Sequence, residues 1–471
     1  MIARNILEHG ESSALLGTPT NGYHPLWMIV VTMYGSVFGF GLMGLRIFET
    51  LLFALALVIL IRALEIRSFM YALLVTVGFH VIFFGWMVSG MEISLLLPLV
   101  CLFQGLMLRP DWRAGWIGTI GLLLSACAVI GTRLDAAFFV IPILLFAPLG
   151  LTRKSLVLAG LVAAAVAYTS VNLALFDTAL PISGSVKSLG APTLNTGYLE
   201  QLETAFSGLP STFLVGDPFV TPFITAGIGI CCLVIGLLPS LRNQQEFRAT
   251  RGILLGATIG FLAYSAKLVF GSSWRVWFWY GYPSIFFLIP ILAILHSQFG
   301  TYRIAKAVSL IAIAGLMYVN RYVIAPDQNR SERIPQNAAF YEMVEKDIGD
   351  GPVAMGDRAG TFGWMHPHGL FQLEGLVNDV AYFALLERSG NVRATLCARG
   401  IRKVVDYEPN LGRYERHDIA VLRPFLTSFG GPFLTVYGDE EVARMKNDPN
   451  TFGLIEEADS TIYLWKLDCD R

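Results

Sequence analysis

The chain has 471 residues, of which 54% are hydrophobic and 15% charged, and its mean hydropathy is +0.58. An ordinary soluble domain carries about 25% charge, so a water-soluble globular protein is excluded and a polytopic α-helical membrane protein is predicted. The 34 basic and 35 acidic residues leave a formal net charge of -1, which gives no overall attraction to nucleic acid. No nucleic-acid partner is expected.

In chain order, an apolar stretch from Pro25 to Leu45 comes first, interrupted by Gly35, Gly39, Gly41 and Gly44. Ten further runs, at about 46–64, 69–89, 92–108, 114–131, 136–152, 155–176, 219–240, 250–270, 277–297 and 303–324, approach the roughly 20 residues that cross a hydrocarbon core. About ten spans are therefore predicted for a membrane domain over 1–324. No cleavable signal sequence precedes them, so the apolar segments themselves would direct insertion.

Basic residues orient the spans, because short cytoplasmic loops carry the excess of Lys and Arg. One alternating set of connections holds Arg62, Arg67, Arg109, Arg113, Arg153, Lys154, Arg242, Arg248, Arg251, Arg303 and Lys306. The other holds Arg4, Arg46, Arg133, Lys187, Lys267 and Arg275. The first set is richer, which puts residues 1–45 and everything after about residue 324 on the non-cytoplasmic side. The stretch from Pro25 to Leu45 then reads as a hydrophobic helix lying at the outer membrane surface, with Trp27 and Tyr34 as interfacial anchors.

From residue 325 the pattern becomes charged and water-soluble, and a separate mixed α/β exported domain over 325–471 is predicted. Pro352–Asp357, Ile401–Asp406, Phe433–Tyr437 and Thr461–Leu467 read as strands, and Phe340, Met343, Val344 and Ile348 share one helix face. The run Gly356–Gly363 lacks dinucleotide-loop spacing and reads as a tight turn after a strand. Of the six cysteines, Cys101, Cys127, Cys231 and Cys232 lie in apolar runs and read as inert thiols. Only Cys397 and Cys469 are candidates for a disulfide.

This orientation gathers Glu92, Arg133, Asp135, Asp177, Lys187, Lys267 and Arg275 at the outer ends of spans or in outer loops. Ionisable groups next to hydrocarbon are costly and mark function, although long Lys and Arg side chains at helix ends also snorkel without any function. Glu92 is equally the first-turn carboxylate that a helix dipole favours, and Arg133 and Asp135, two residues apart, can pair locally. His24 is a possible donor to phosphate or acceptor, or simply a polar interface anchor. His366 and His368 hint at a metal, with no third or fourth ligand nearby, and His80 within a span reads as a helix-to-helix hydrogen-bonding group.

Several local sequences, taken in order, carry a resemblance. They are Thr20-Asn21-Gly22-Tyr23-His24-Pro25-Leu26-Trp27, Gly90-Met91-Glu92, Thr132-Arg133-Leu134-Asp135 and NLALFDTALPISGSVKS from Asn172 to Ser188. Ser273-Trp274-Arg275 with Trp279-Tyr280 and Pro283 follows, and then Gly356-Asp357 with Gln372-Leu373-Glu374-Gly375-Leu376-Val377-Asn378. Along nearly the whole chain this order resembles the polyprenyl-phosphate-sugar-dependent glycosyltransferases of the GT-C fold.

The resemblance implies transfer of a sugar from a polyprenyl-phosphate donor to a glycan, lipid or protein acceptor at the outer face of the cytoplasmic membrane. Such chemistry needs a carboxylate base, for which Glu92 and Asp135 are the candidates. It also needs cations and donors for the leaving phosphate, and His24, Arg133, Lys187, Trp274, Arg275 and Tyr280 are the candidate substrate-binding residues. Lys187 is placed in a flexible Ser-Gly-Ser loop, and a divalent metal is compatible with the set. Family members of this kind begin with a further span and an acidic Asp-Asp-Ala type motif, and the chain starts at Met1 with neither. The alternatives are a degenerate, non-catalytic protein of the same fold, a glycan polymerase or ligase, and a transporter, which would instead show related halves with broken helices at the midplane.

Overall fold

The computed structural model describes residues 1–67, 72, 73, 75, 76, 91–112, 114–189, 194, 195, 198, 199, 226, 227, 230, 245–272, 278–299, 341, 342, 345, 346, 348–356, 359–388, 392–407, 419–422, 434–438, 452–457, 460–466 and 469. The helices are α1 (Ile2–His9), α2 (Pro25–Phe38), α3 (Leu42–Ala63), α4 (Ile93–Leu108), α5 (Gly115–Thr132), α6 (Ala137–Phe146), α7 (Leu151–Phe176), α8 (Ile182–Lys187), α9 (Gln245–Phe270), α10 (Ser284–Phe299), α11 (Ala359–Met365), α12 (Val380–Glu387) and α13 (Val392–Ala398). The strands are β1 (Val353–Met355), β2 (Leu370–Gln372), β3 (Lys403–Tyr407), β4 (Ile419–Leu422), β5 (Leu434–Gly438), β6 (Phe452–Glu457) and β7 (Ser460–Lys466).

Among the described residues four helices are long and apolar enough to cross a membrane, namely α3, α5, α7 and most of α9. At about 1.5 Å per residue, the 22 residues of α3 match a hydrocarbon core of about 30 Å. The expected runs 69–89, 219–240 and 303–324 lie wholly or largely outside the described residues. Two expected runs are interrupted. The run 136–152 stops as a helix at Phe146, because Pro148 has no N–H and disfavours helical geometry before it, and the chain restarts at Leu151. The run 277–297 begins with a short 3-10 turn, Phe278–Gly281, and its helix starts only after Pro283.

The bundle core is apolar and tightly interleaved, with Leu96, Leu97, Phe103, Phe139, Ile143, Leu254, Phe286 and Phe287 all fully buried. Among the described residues its most extensive helix-to-helix contact is between α9 and α6. A side chain added at Gly252, Gly256 or Gly260 would collide with the α6 backbone at Phe146, Ile143 and Phe138 in turn. Glycines four residues apart thus let two helices meet backbone to backbone, where dispersion replaces the hydrophobic drive that lipid cannot supply.

Helix α2 has 14 residues, opened by Pro25 in its first turn and closed by Gly39 at φ +73°. That is about 21 Å, short of a full crossing. Just past its end, Phe40 packs edge-on against Trp364 of α11, with ring centroids 6.3 Å apart.

The C-terminal part forms a five-stranded sheet in the order β2-β1-β3-β7-β6. β1 runs parallel to β2 and β3, while β3–β7 and β6–β7 are antiparallel, and β4–β5 form a separate antiparallel pair. Strands therefore occur near the four expected places, with shifted limits, and β2, β4 and β6 are additional. Of the expected helix face, Phe340, Met343 and Val344 lie outside the described residues and Ile348 is buried. The expected glycine turn at 356–363 is instead helix α11 from Ala359 onward, and neither Gly360 nor Gly363 has positive φ. Gly363 is needed for contact: a Cβ there would press on Met1 and Leu370 at 2.9 and 3.0 Å. Cys397 and Cys469 are joined as a disulfide.

Residues 1–24 link bundle and sheet. Leu370 N–H donates to the Ala14 carbonyl at 3.2 Å, Leu15 packs on the cluster around Phe371, and Met1 on that around Phe362.

Candidate functional site

Four chain segments end within reach of one guanidinium. Arg133 caps α5 in an extended conformation, and the 3-10 turn Leu134–Ala136 that follows carries Asp135 back onto it. Arg133 donates to Glu92 Oε1 at 2.7 Å and to Asp135 Oδ1 at 2.9 Å, with a longer contact of 3.4 Å to Oδ2. Glu92 sits at the start of α4 but makes no capping hydrogen bond through its side chain; the ion pair has taken the carboxylate that a helix dipole would otherwise hold. His24, preceding α2, brings Nε2 to 3.4 Å from the same Glu92 oxygen.

The guanidinium also lies over two rings, 4.2 Å from the Tyr282 centroid and 5.4 Å from that of Tyr280. Both precede α10. Tyr282 belongs to an aromatic floor in which it meets Tyr264 at 5.6 Å, while Phe139 stacks on Phe286 at 4.6 Å. With Arg133 only 3% exposed and Glu92 4%, each charge is held by its partner, as burial demands. Arg133 is thus ringed by two carboxylates and two aromatic faces, which marks it as a group that holds other side chains.

Lys187 is the second cation of the cluster. It closes α8, a short helix where a flexible Ser-Gly-Ser loop was expected, and the reason lies in Ile182 and Val186, which are buried at i and i+4. Its Nζ stands 5.7 Å from the Tyr280 ring centroid, so Tyr280 is within reach of both cations. Ser272 Oγ donates to the Lys187 carbonyl at 3.2 Å. The start of α8 is tied to the loop before α2: Ile182 N–H donates to Asn21 Oδ1 at 2.9 Å, and Asn21 Nδ2 donates to Asn172 Oδ1 at 3.1 Å.

His24, Glu92, Arg133, Asp135, Lys187 and Tyr280 thus come together, whereas Trp274, Arg275 and His80 lie outside the described residues. Asp177 ends α7 at φ +54°. Sequence reasoning passed over Tyr282 and Tyr264 and quoted Asn21 and Asn172 within motifs without giving them a role; the signal for Tyr282 was its place immediately before Pro283 in a motif already singled out. His366 is buried in the C-terminal part. Its Nε2 meets the Gly351 carbonyl at 3.0 Å, its ring lies against Tyr341 and Phe362, and burial pushes its imidazole below the ordinary range. Among the described residues no three His, Cys, Asp or Glu side chains gather as a metal site.

No model of a known protein family matches the chain, and no curated protein sequence does. Two crystal structures of ArnT from Cupriavidus metallidurans do. The form bound to undecaprenyl phosphate aligns with a TM-score of 0.54 at 14% identity over 98% of this chain and 92% of that one. The apo form gives 0.51 at 14% identity over 98% and 91%. The chain accordingly has a membrane GT-C fold like that of ArnT.

Proposed function

We propose that this protein transfers a sugar from a polyprenyl-phosphate donor to a glycan, lipid or protein acceptor at the outer face of the cytoplasmic membrane. The membrane part comprises 1–324 and the outer domain 325–471. The observation that carries the reading is the convergence of His24, Glu92, Arg133, Asp135, Lys187 and Tyr280 at one place in a fold shared with a protein crystallised with undecaprenyl phosphate.

In the proposed reaction the bond between the anomeric carbon and the phosphate oxygen breaks, and its electron pair leaves with the phosphate. The acceptor oxygen forms the new bond to that carbon, and its proton passes to a carboxylate. Glu92 suits that step: among the described residues its contacts with His24 and Arg133 both run to Oε1, and Oε2 is assigned to the acceptor hydroxyl. Asp135 faces the same guanidinium and is the second carboxylate. Lys187 is assigned to the phosphate, with Arg275 and Trp274 as further donor-binding residues, because positive charge fixed in advance stabilises a leaving phosphate most where water is scarce. Arg133, assigned to substrate by sequence alone, is reassigned to holding the two carboxylates.

Purified full-length protein, given undecaprenyl-phosphate-linked sugars and membrane glycolipid acceptors, is expected to release undecaprenyl phosphate only when acceptor is present. Glu92→Gln is expected to slow release by about 10²-fold or more, the scale of a lost general base. An unchanged rate in both Glu92→Gln and Asp135→Asn would remove the carboxylates from the chemistry. A wild type that binds the donor without turnover would favour the non-catalytic reading.

A further inference from the structure

The loop that carries His24 and the helix that carries Lys187 come from distant parts of the chain, yet both rest on one turn of the C-terminal part, residues 372–378. On the helix side, Ile182, Val186 and Leu189 are buried in the same cluster as Phe371, Leu373, Tyr382 and Leu386. Gly375, at φ +83°, lets the turn approach: a Cβ there would lie 3.5 Å from Val186 and clash with Leu386. On the loop side, a Cβ at Gly22 would overlap the carbonyl oxygen of Leu376. Asn21 then joins loop to helix through Ile182 N–H.

The turn is itself locked from within. Leu376 N–H donates to Gln372 Oε1 at 2.8 Å, Asn378 Nδ2 donates to the Gln372 carbonyl at 2.8 Å, and the Tyr382 hydroxyl donates to the Leu373 carbonyl at 2.9 Å. Gln372, Glu374 and Asn378 are all buried, and Gln372 Nε2 donates to Glu374. Asn378 Oδ1 has no partner among the described residues, but moving the turn would also break the bonds at Leu376 N–H, Asn378 Nδ2 and the Tyr382 hydroxyl, which favours this geometry over alternatives. Such a turn can dictate position to whatever packs on it.

We infer that the turn 372–378 is the positioning element of the candidate site, and that Gly22, Val186 and Gly375 are positioning residues through which it sets His24 and Lys187 against Glu92 and Tyr280. The ion pairs to Arg133 fix the two carboxylates from within the bundle. Lys187, by contrast, stands on a helix whose buried face belongs to the C-terminal core. Affinity for the donor phosphate is therefore set from the C-terminal part, an inference that rests on the polyprenyl-phosphate reading. The lever is a short one, since displacing a reacting or binding group by about 1 Å can cost about 10²-fold.

Two variants of the full-length protein in detergent test this: Val186→Ala, which loosens the helix, and Gly22→Ala, which drives the loop off Leu376. The first readout needs no ligand. Acylation of Lys187 by a water-soluble acetylating ester, followed by mass spectrometry, is expected to quicken about fivefold or more in each variant, with the Val186→Ala melting temperature held to within about 4 °C. The second is binding of undecaprenyl phosphate in mixed micelles, expected to weaken about tenfold. Lys187 labelling at the wild-type rate in both variants overturns the inference. So does raised labelling with unchanged affinity in a wild type that binds. A wild type that fails to bind undecaprenyl phosphate overturns the functional reading instead, while the labelling still decides whether the turn positions Lys187.

Discussion

At the scale of single residues, Arg133 shows how a charge is tolerated beside hydrocarbon. Its side chain is 4% exposed and that of Glu92 5%, so neither charge has water to fall back on. Removing one partner leaves the other buried and unpaired, which costs about 3–5 kcal/mol. Arg133→Met is therefore expected to lower stability by about that amount in a denaturant titration followed by tryptophan emission. Adding Glu92→Gln to it should recover part of the loss, because only Asp135, the more exposed of the two carboxylates, is then left without Arg133. A double variant no more stable than Arg133→Met alone would show that the pair does not hold the helix ends together. The residue types were legible in the sequence: Glu92, Arg133 and Asp135 stand out as ionisable groups at the rims of apolar runs. Their partners were less legible. Arg133 and Asp135 are two apart and read as a pair, but Glu92 lies 41 positions away, and only the packing of α4 against α5 brings it there. Tyr264 and Tyr282 went unnoticed because an aromatic within an apolar run looks the same whether it faces lipid or floors a site.

At the scale of elements, α2 is the informative case. His24 before it lies near Glu92, at the same end of the bundle as Arg133, and Phe40 after it lies against Trp364 of the C-terminal part. Both ends thus keep to one side. Ile29, Met33 and Val37, four residues apart, are 54%, 65% and 71% exposed, giving one apolar stripe of the kind a helix turns toward lipid when it lies along the interface. A nitroxide on Met33→Cys in bilayers is expected to sit about 5–10 Å below the headgroup boundary by accessibility to polar and apolar relaxants. A reading near the bilayer centre, about 15 Å deep, would instead make α2 part of a span. The helix was foreseeable from its apolar run and from Pro25, and its end from Gly39. By contrast, the interleaving of α9 with α6 rests on Gly252, Gly256 and Gly260, whose spacing acquires meaning only when a partner backbone is seen against them. The break after Phe146 was open to view in Pro148 and Gly150, yet continuous hydrophobicity masked it.

At the scale of the whole molecule, helix direction sorts the charges. Arg109, at the end of α4, pairs with Glu65 beyond the end of α3 and with Asp111 at 2.9 Å. Arg153 and Lys154, at the start of α7, reach the carbonyls of Gly115 and Leu145. These groups gather at one end of the bundle, while Glu92, Arg133, Asp135 and Lys187 gather at the other, beside the C-terminal sheet. Because cytoplasmic loops carry the basic excess, the first end is expected to face the cytoplasm and the sheet to face outward. The Cys397–Cys469 disulfide points the same way, since such a bond persists in an oxidising compartment and is rare in the cytosol. Single cysteines at two exposed positions test this: Glu387→Cys in the C-terminal part and Asp111→Cys at the opposite end. In intact cells a membrane-impermeant maleimide is expected to modify the cysteine at 387 and to reach that at 111 only after permeabilisation. Neither position carries a described contact with the candidate site, so both variants should retain whatever binding the wild type shows. The reverse pattern would put the carboxylates and Lys187 on the cytoplasmic side, where nucleotide-linked sugars are at hand, and the outer-face donor would have to be abandoned.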